Sequence, residues 1–559
     1  MALLPKSISA FSTVIYSTPT MFRLLLAVCL SYFFLIGVNA NIIGHLIPID
    51  TLIVNPDNLL SSLSGQYQFL PEAYNPKTCL GGYYRGLWNI FEKADDNGRT
   101  TYDWSHLENK LLWCAERHTR LTIRIAQFCG YPYDKTLLTL PHNYKNNEAD
   151  YDIFLKSQGF EVDCSGRLLL NGKYIKIGFP EKYFWRMVQE KAYPLITLQH
   201  DRDTCYVAFP NYNSDAFFRG WSDLLANLSK WLEKELISID GTPFLVRGRP
   251  IKRKYLVEVM QAGFVGMYGE GWIKSSGVFP DDVRKVYRYA DLYPRFFPNI
   301  PLSYPLAAYY DLKYYSLEGL RHVWSYGNSF GQSGLYYDVV GQENFHPYFD
   351  NGTIAKVLRE LNFNNRRIGG EGSGLWRSEG LKDLLNHAYG AHFSGLALHN
   401  FAVTGERNTP LARKNWAEFK KLVGAQLYMS DVSFVHLKGR KYKMSFQLQN
   451  LGLCRVFSPY WEPFVVFRDK EGKELWRQRM SLNLNSVEPN SQSPEKAGII
   501  RASKPYIMTI RIPSETYSVN FAIIDKYGVY ENFWLHNYGR TDNGEYLLFT
   551  MPQNNRYEN

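Results

Sequence analysis

Cysteine is scarce in this chain: seven in 559 residues, with no Cys-x-x-Cys and no Cys/His spacing of a zinc site. A structural metal site is therefore not expected, nor any other metal or cofactor. No Gly-x-Ser-x-Gly elbow appears, which removes the commonest serine-hydrolase signature. The glycine run at 369–374 lacks the lysine and following helix of a phosphate-cradling loop. Concentrated basic charge is missing too. Lys+Arg exceeds Asp+Glu by 63 to 53, a formal +10, but these residues are scattered and Ile251–Lys254 (IKRK) is the one compact run. Nucleic-acid proteins gather such charge on one face, so no nucleic-acid partner is expected and the surplus reads as solvated surface. Beyond the N-terminus no apolar run is long enough to span a bilayer, and there is no internal repeat or low-complexity tract.

At the N-terminus, Arg23 precedes the apolar run Leu24–Val38, and Val38-Asn39-Ala40 fits the small-residue cleavage pattern of a secretory signal. Residues 1–40 are read as a signal peptide or signal-anchor, with Met21 a candidate start. A secreted, extracellular location follows, with no membrane association beyond that anchor. Loss of Cys29 with the signal leaves Cys79, Cys114, Cys129, Cys164, Cys205 and Cys454, an even set that permits disulfides. Asn227-Leu-Ser and Asn351-Gly-Thr are glycan-acceptor sequons.

What is abundant is aromatic: 16% of the chain, with 41 Tyr and 13 Trp. A large core explains this, and so do stacking platforms for sugar rings. After a lead-in at Asn41–Lys77 with little periodicity, GGYYRGLWNIFE reads as a strand, TYDWSHLENKLLWCAERH as a helix capped by Ser105 and Glu108, and Leu121–Phe128 as a second strand. Strand, helix, strand is a βαβ unit and implies a parallel sheet. Cys129–Phe179 reads as an insertion over the site and Tyr193–His200 as a third strand. Asp215–Leu236 is a helix with an apolar stripe ended by Asp240-Gly241, Val257–Trp272 a fourth strand, and about 280–293 a helix. Weaker strands fall near Ile300–Ala307, His322–Tyr326, Arg366–Gly370 and Phe393–His399, giving eight βα steps. A helix near Leu411–Val423 follows, after which the period becomes two. KYKMSFQLQNLG alternates, PFVVFRDKEGKELW turns at Asp469–Gly472, and YIMTIRI, VNFAIID and EYLLFTM are short strands. Strands at this spacing without helices predict a sandwich. The expected class is α/β: a (β/α)8 TIM barrel over 41–424, followed by an all-β immunoglobulin-like sandwich over 425–559.

The sharpest functional signal is a repeated pattern. VEVMQAGFVGMYGEGW ends the fourth strand on Gly-Glu-Gly around Glu270, and RRIGGEGSGL ends the seventh on Gly-Glu-Gly around Glu371. Barrels keep catalytic groups at the carboxyl ends of their strands. Glycosidic bond hydrolysis needs two carboxylates flanking one bond, one of them held protonated, as burial beside a ring such as Trp272 can arrange. The plain alternative is that these are unrelated strand-end acids. Arg124 is a candidate to orient a carboxylate, or simply a paired barrel arginine. His200 and His399 are candidate hydroxyl contacts, or satisfied structural histidines. Trp88, Trp272, Trp324 and Trp376 are candidate stacking platforms, or core.

At these residues, GGYYRGLW…YDWSHLENKLLWCAERHTRLTIRI resembles the opening of clan-A glycoside hydrolase barrels, particularly the beta-galactosidase-like ones. With GFVGMYGEGW, GGEG and the C-terminal strands, the chain over Cys79–Asp525 resembles a little-characterised secreted family pairing such a barrel with a β-sandwich. The resemblance implies an acid/base at Glu270 and a nucleophile at Glu371, hence a retaining hydrolase of an extracellular glycan, with no cofactor. Two positions depart from the clan pattern: Gly269 stands where Asn precedes the acid/base, and Asn328 stands in a loop where relatives carry an acid. The alternative is a non-catalytic carbohydrate-binding or extracellular structural protein on a degenerate barrel.

Overall fold

The computed structural model describes residues 66–69, 79–94, 99–127, 136–141, 144–146, 148–199, 205–263, 265–266, 269, 277–280, 282, 284–305, 327–328, 331–332, 334–340, 366–372, 395–398, 410, 414, 424–489 and 504–551. The N-terminal segment 1–40, the His322–Tyr326 strand, the 411–423 helix (apart from residue 414), Trp324 and Asn351 lie outside them. Among the described residues no helix is long and apolar enough to cross a membrane.

The first sheet is parallel throughout and its path returns on itself. Its strands, in chain order and in spatial order, are β1 (Gln66–Phe69), β2 (Cys79–Leu87), β3 (Arg120–Ala126), β4 (Val257–Gln261), β5 (Leu302–Pro305), β6 (Gly334–Val340), β7 (Ile368–Gly372) and β8 (Gly395–Leu398). The path closes where Gln66 to Gln68 of β1 pair with Leu396 to Leu398 of β8. Helices α1 (Ser105–Glu116), α2 (Glu181–Gln189), α3 (Asp215–Leu232) and α4 (Arg284–Ala290) lie between its strands in sequence.

Two expectations about this sheet are corrected. Tyr193–His200 is no barrel strand: Leu195–Gln199 pairs antiparallel with Cys205–Phe209 in a separate small sheet. The missing strand is β1, whose QYQF text carries no apolar run, and the sixth is Gly334–Val340. Val257–Gln261 is still fourth and Ile368–Gly372 still seventh, because one strand is gained where one is lost. The insertion after β3 is also more than a loop, since it holds the small sheet and two helices, with Leu138, Tyr151, Phe154 and Ile175 in the barrel's own hydrophobic core.

Strand β3 shows how one segment serves two ends of the molecule. All seven of its residues are buried. Leu121, Ile123 and Ile125 join the hydrophobic core with α1, while Arg120 and Arg124 share the opposite parity, about 13 Å apart along the strand. The expected capping box on α1 is not formed. Glu108 instead binds Arg253 through two hydrogen bonds of 2.5 and 2.9 Å and accepts from the Ile237 amide. Within the IKRK run Arg253 and Lys254 are buried rather than solvated, Lys254 pairing with Glu233 at 2.8 Å, while Lys252 is exposed. The α3 stripe is as read, with Ser214 accepting from the Phe217 amide at the start; the helix ends at Leu232, before the Asp240-Gly241 turn.

Residues 427–550 form two antiparallel sheets. Naming these strands β9 (Leu427–Lys438), β10 (Lys441–Asn450), β11 (Trp461–Arg468), β12 (Glu474–Arg479), β13 (Tyr506–Arg511), β14 (Ser518–Asp525) and β15 (Tyr546–Thr550), the orders are β9-β10-β13 and β12-β11-β14-β15. Tyr442, Met444, Phe446 and Leu448 of β10 are buried, as their alternation requires, and share one core with Val465, Phe467, Phe521 and Phe549 of the other sheet. The β11–β12 turn is set by Asp469, whose carboxylate accepts from the Lys473 amide at 2.8 Å, and by Gly472 at φ +81°.

The two parts meet at the amino ends of the barrel strands. Arg120 is fully buried and pairs with Asp525 at 2.5 Å, its guanidinium lying over the rings of Tyr460 and Tyr530. Glu258 pairs with Arg367 at 2.8 Å and accepts from the Tyr530 hydroxyl at 3.4 Å. Tyr255 stacks on Tyr527. Charges taken out of water are tolerable only when each has such a partner.

Cys164 is exposed and Cys454 is a buried thiol that donates to the Arg455 carbonyl; neither is in a disulfide. Burial pushes the Cys454 thiol up to about 12. Asn227 lies within α3, its amide donating to the Asp223 carbonyl, a poor setting for an acceptor sequon.

Candidate functional site

At the carboxyl ends of the barrel strands, Arg124 anchors a layer of polar groups. Its Nε donates to Gln261 Oε1 at 3.0 Å, joining β3 to β4, and its guanidinium lies over the rings of Tyr336 and Tyr83 at 4.6 and 5.4 Å. All four residues are buried. Tyr336 of β6 reaches across to β4, where its hydroxyl is 3.1 Å from the Ala262 carbonyl and 2.8 Å from that of Gly269. The chain leaving β4 is thus tied back over the barrel one residue before Glu270.

The glycines of this stretch have a steric reason. Gly269 has φ +68°, and a Cβ there would meet the Gly263 Cα at 2.5 Å. A Cβ on Gly263 would in turn meet the Ile125 carbonyl oxygen at 2.1 Å. Backbone packs on backbone, so no side chain fits at Gly269, and the clan's asparagine could not stand there in this conformation. Tyr212 supports the same turn, accepting from the Gly266 amide at 2.9 Å, and burial raises its phenol well above the usual range, so it stays neutral. Tyr293, buried nearby, is raised for the same reason.

Of the sequence-derived residues, the structure describes Arg124 fully. Glu371 lies in β7, its backbone paired with Ala397 of β8, and Asn328 in a short strand, Gly327–Asn328, paired with Gly331–Gln332. Glu270, Trp272, His200, Trp376 and His399 lie outside the described residues. Trp88 is core rather than platform: it is fully buried among Tyr183, Phe217 and Trp221, with its indole NH donating to Glu92 at 2.6 Å.

Two participants escaped the sequence reading: Gln261 and Tyr336. Gln127 follows β3 directly, is fully buried, and has no hydrogen-bond partner on either side-chain atom among the described residues. Nothing in single-letter text separates a lumenal glutamine or tyrosine from a surface one; the signal that would have found Gln261 and Tyr336 is strand register with Arg124. Among the described residues no cluster of His, Cys, Asp or Glu could hold a metal.

No family profile and no curated sequence relative matches the chain. Among solved structures, it is similar to the catalytic domain of a beta-amylase from Paenibacillus polymyxa, with 9% identity over 68% of this chain and 96% of that one, at a TM-score of 0.31. A glucosidase from Croceicoccus marinus gives 8% identity over 82% and 95%, at a TM-score of 0.30. Scores of this size carry no argument, and the architecture rests on the strand pairing above.

Proposed function

We propose that the chain is a secreted glycoside hydrolase that acts on an extracellular glycan by retention, with Glu270 as acid/base and Glu371 as nucleophile. The observation that supports it most is the Tyr336–Gly269 hydrogen bond in a closed parallel sheet. It ties the first glycine of the first Gly-Glu-Gly, one residue before Glu270, to the chain leaving β4, while the second Gly-Glu-Gly belongs to β7. Gly369 pairs with Tyr336, and Glu371 follows it two positions later in β7. Retention asks that the two carboxyls lie about 5–5.5 Å apart. Arg124, positive and buried in the same layer, suits the orientation of a carboxylate. Trp272, Trp376, His200, His399 and Asn328 are proposed as sugar contacts.

The architecture in this reading is a TIM barrel over 41–424 and an immunoglobulin-like sandwich over 425–559, behind a signal peptide or anchor in 1–40. Its first, second and fifth strands share one sheet, and the third, sixth and seventh the other, as in that class, with the fourth at the edge of the second sheet. Gly269 in place of asparagine favours the second reading, a barrel that binds glycan without cleaving it.

Kinetics on activated and natural glycosides separate the two. Glu371→Gln should abolish turnover of both. Glu270→Gln should slow substrates with poor leaving groups by about 10²–10⁴-fold and spare activated ones, because protonation matters less there. Wild-type rates in either variant remove that residue from the mechanism, and a wild type that binds glycan without turnover leaves the binding reading.

A further inference from the structure

A cleft of about 650 Å³ opens between the segment after β2 and the insertion after β3. Both segments follow the carboxyl ends of their strands, so the cleft is on the side of the barrel that carries the Gly-Glu-Gly turns. Its size is that of a small-molecule or short-oligosaccharide site. The carboxylates in its wall are already engaged. Glu181 accepts from the Thr139 amide and hydroxyl, and Glu92, whose side chain is almost wholly buried, binds Trp88 and pairs with Lys182 at 2.5 Å. The cations at its mouth carry no ion pair among the described residues. Lys93 and Arg186 are exposed; Lys93 Nζ donates to the Asn89 carbonyl at 3.4 Å, and the Arg186 guanidinium lies 5.6 Å from the Tyr183 ring. Lys182 balances Glu92, and Lys93 and Arg186 together outnumber the remaining acid, Glu181, so the lining carries a net positive charge.

We propose that this cleft binds the anionic unit of a glycan chain, Arg186 and Lys93 taking its carboxylate or sulfate while Asn146 and Thr136 meet neighbouring hydroxyls. The proposal rests on the carbohydrate reading of the barrel and adds the substrate class to it. A guanidinium offers paired donors to either anion, which an ammonium cannot, so Arg186 carries the larger share.

The test is calorimetric titration of the full-length Glu371→Gln protein with three oligosaccharides of equal length: an oligogalacturonate, a sulfated neutral-backbone chain, and its unsulfated parent. At least one anionic probe should bind with an affinity that falls with salt, and the neutral parent should bind more weakly. Arg186→Gln should weaken anion binding about tenfold or more, the loss of one charged hydrogen-bond donor. Lys93→Gln should weaken it less. Binding of the uronate alone identifies a carboxylate ligand, and of the sulfated chain alone a sulfate. Equal binding of all three, binding of none, or an unchanged affinity in Arg186→Gln would overturn the proposal. Hydrolysis is scored separately on the wild type. Anion binding without turnover fails the hydrolase reading alone, and turnover with no preference for anions fails this one alone.

Discussion

His536 shows how a single residue sets pH behaviour. It is buried in the sandwich, both ring nitrogens lack partners among the described residues, and burial lowers its pKa from 6.5 to about 4. The unfolded chain therefore takes up this proton first as pH falls. Stability is complete above pH 6.5 and declines down to pH 4, by about 3 kcal/mol in total. Urea unfolding from pH 7 to 4 should show that slope, and His536→Gln should flatten it. An identical slope in the variant would assign the acid sensitivity elsewhere. Gly269 makes a related point about single positions. In the sequence its place before Glu270 looked like a lost functional asparagine, whereas the structure shows a site where no side chain fits.

Among elements, long periodic ones were legible. Helix α3 and strand β10 show one buried face each, as their spacing dictates, because burial of a stripe is written directly in the text. Pairing partners were not. Leu195–Gln199 is as apolar as a barrel strand yet pairs antiparallel with its own neighbour, since an apolar run reports burial and not what covers it. Strand β1 was invisible for the opposite reason: two glutamines in its four residues carry no apolar signal. The lumenal layer was half legible. Arg124 stood out as a charge inside an apolar strand, but Tyr336 and Gln261 acquire meaning only through register. The other arginine of β3 carries a prediction. Asp525→Asn should leave Arg120 buried without its counter-charge and cost about 3–5 kcal/mol in denaturant unfolding. A loss under about 1 kcal/mol would mean that Tyr460 and Tyr530 suffice to hold the cation.

For the whole molecule, the two ends of the barrel have separate tasks. The amino ends of its strands carry Arg120, Glu258 and Tyr255, all engaged by the sandwich; the carboxyl ends carry the Arg124 layer and the Gly-Glu-Gly turns. The sandwich is therefore expected to serve as a support and to contribute no residue to the proposed chemistry. Truncation after residue 423 uncovers the buried charges of that end, so the isolated barrel should be poorly soluble or melt well below the full chain. A stable truncated barrel that has lost activity alone would instead place the sandwich in the site. The central claim, one glycosidic bond served by the two Gly-Glu-Gly glutamates, is tested most directly by trapping. The protein is incubated with a panel of 2-deoxy-2-fluoroglycosides bearing dinitrophenolate leaving groups, and the adduct is mapped by peptide mass spectrometry. The account predicts one covalent sugar per chain, carried on Glu371 and absent from Glu371→Gln. A label on another residue, or turnover of the matched substrate with inverted product and no label, would contradict it.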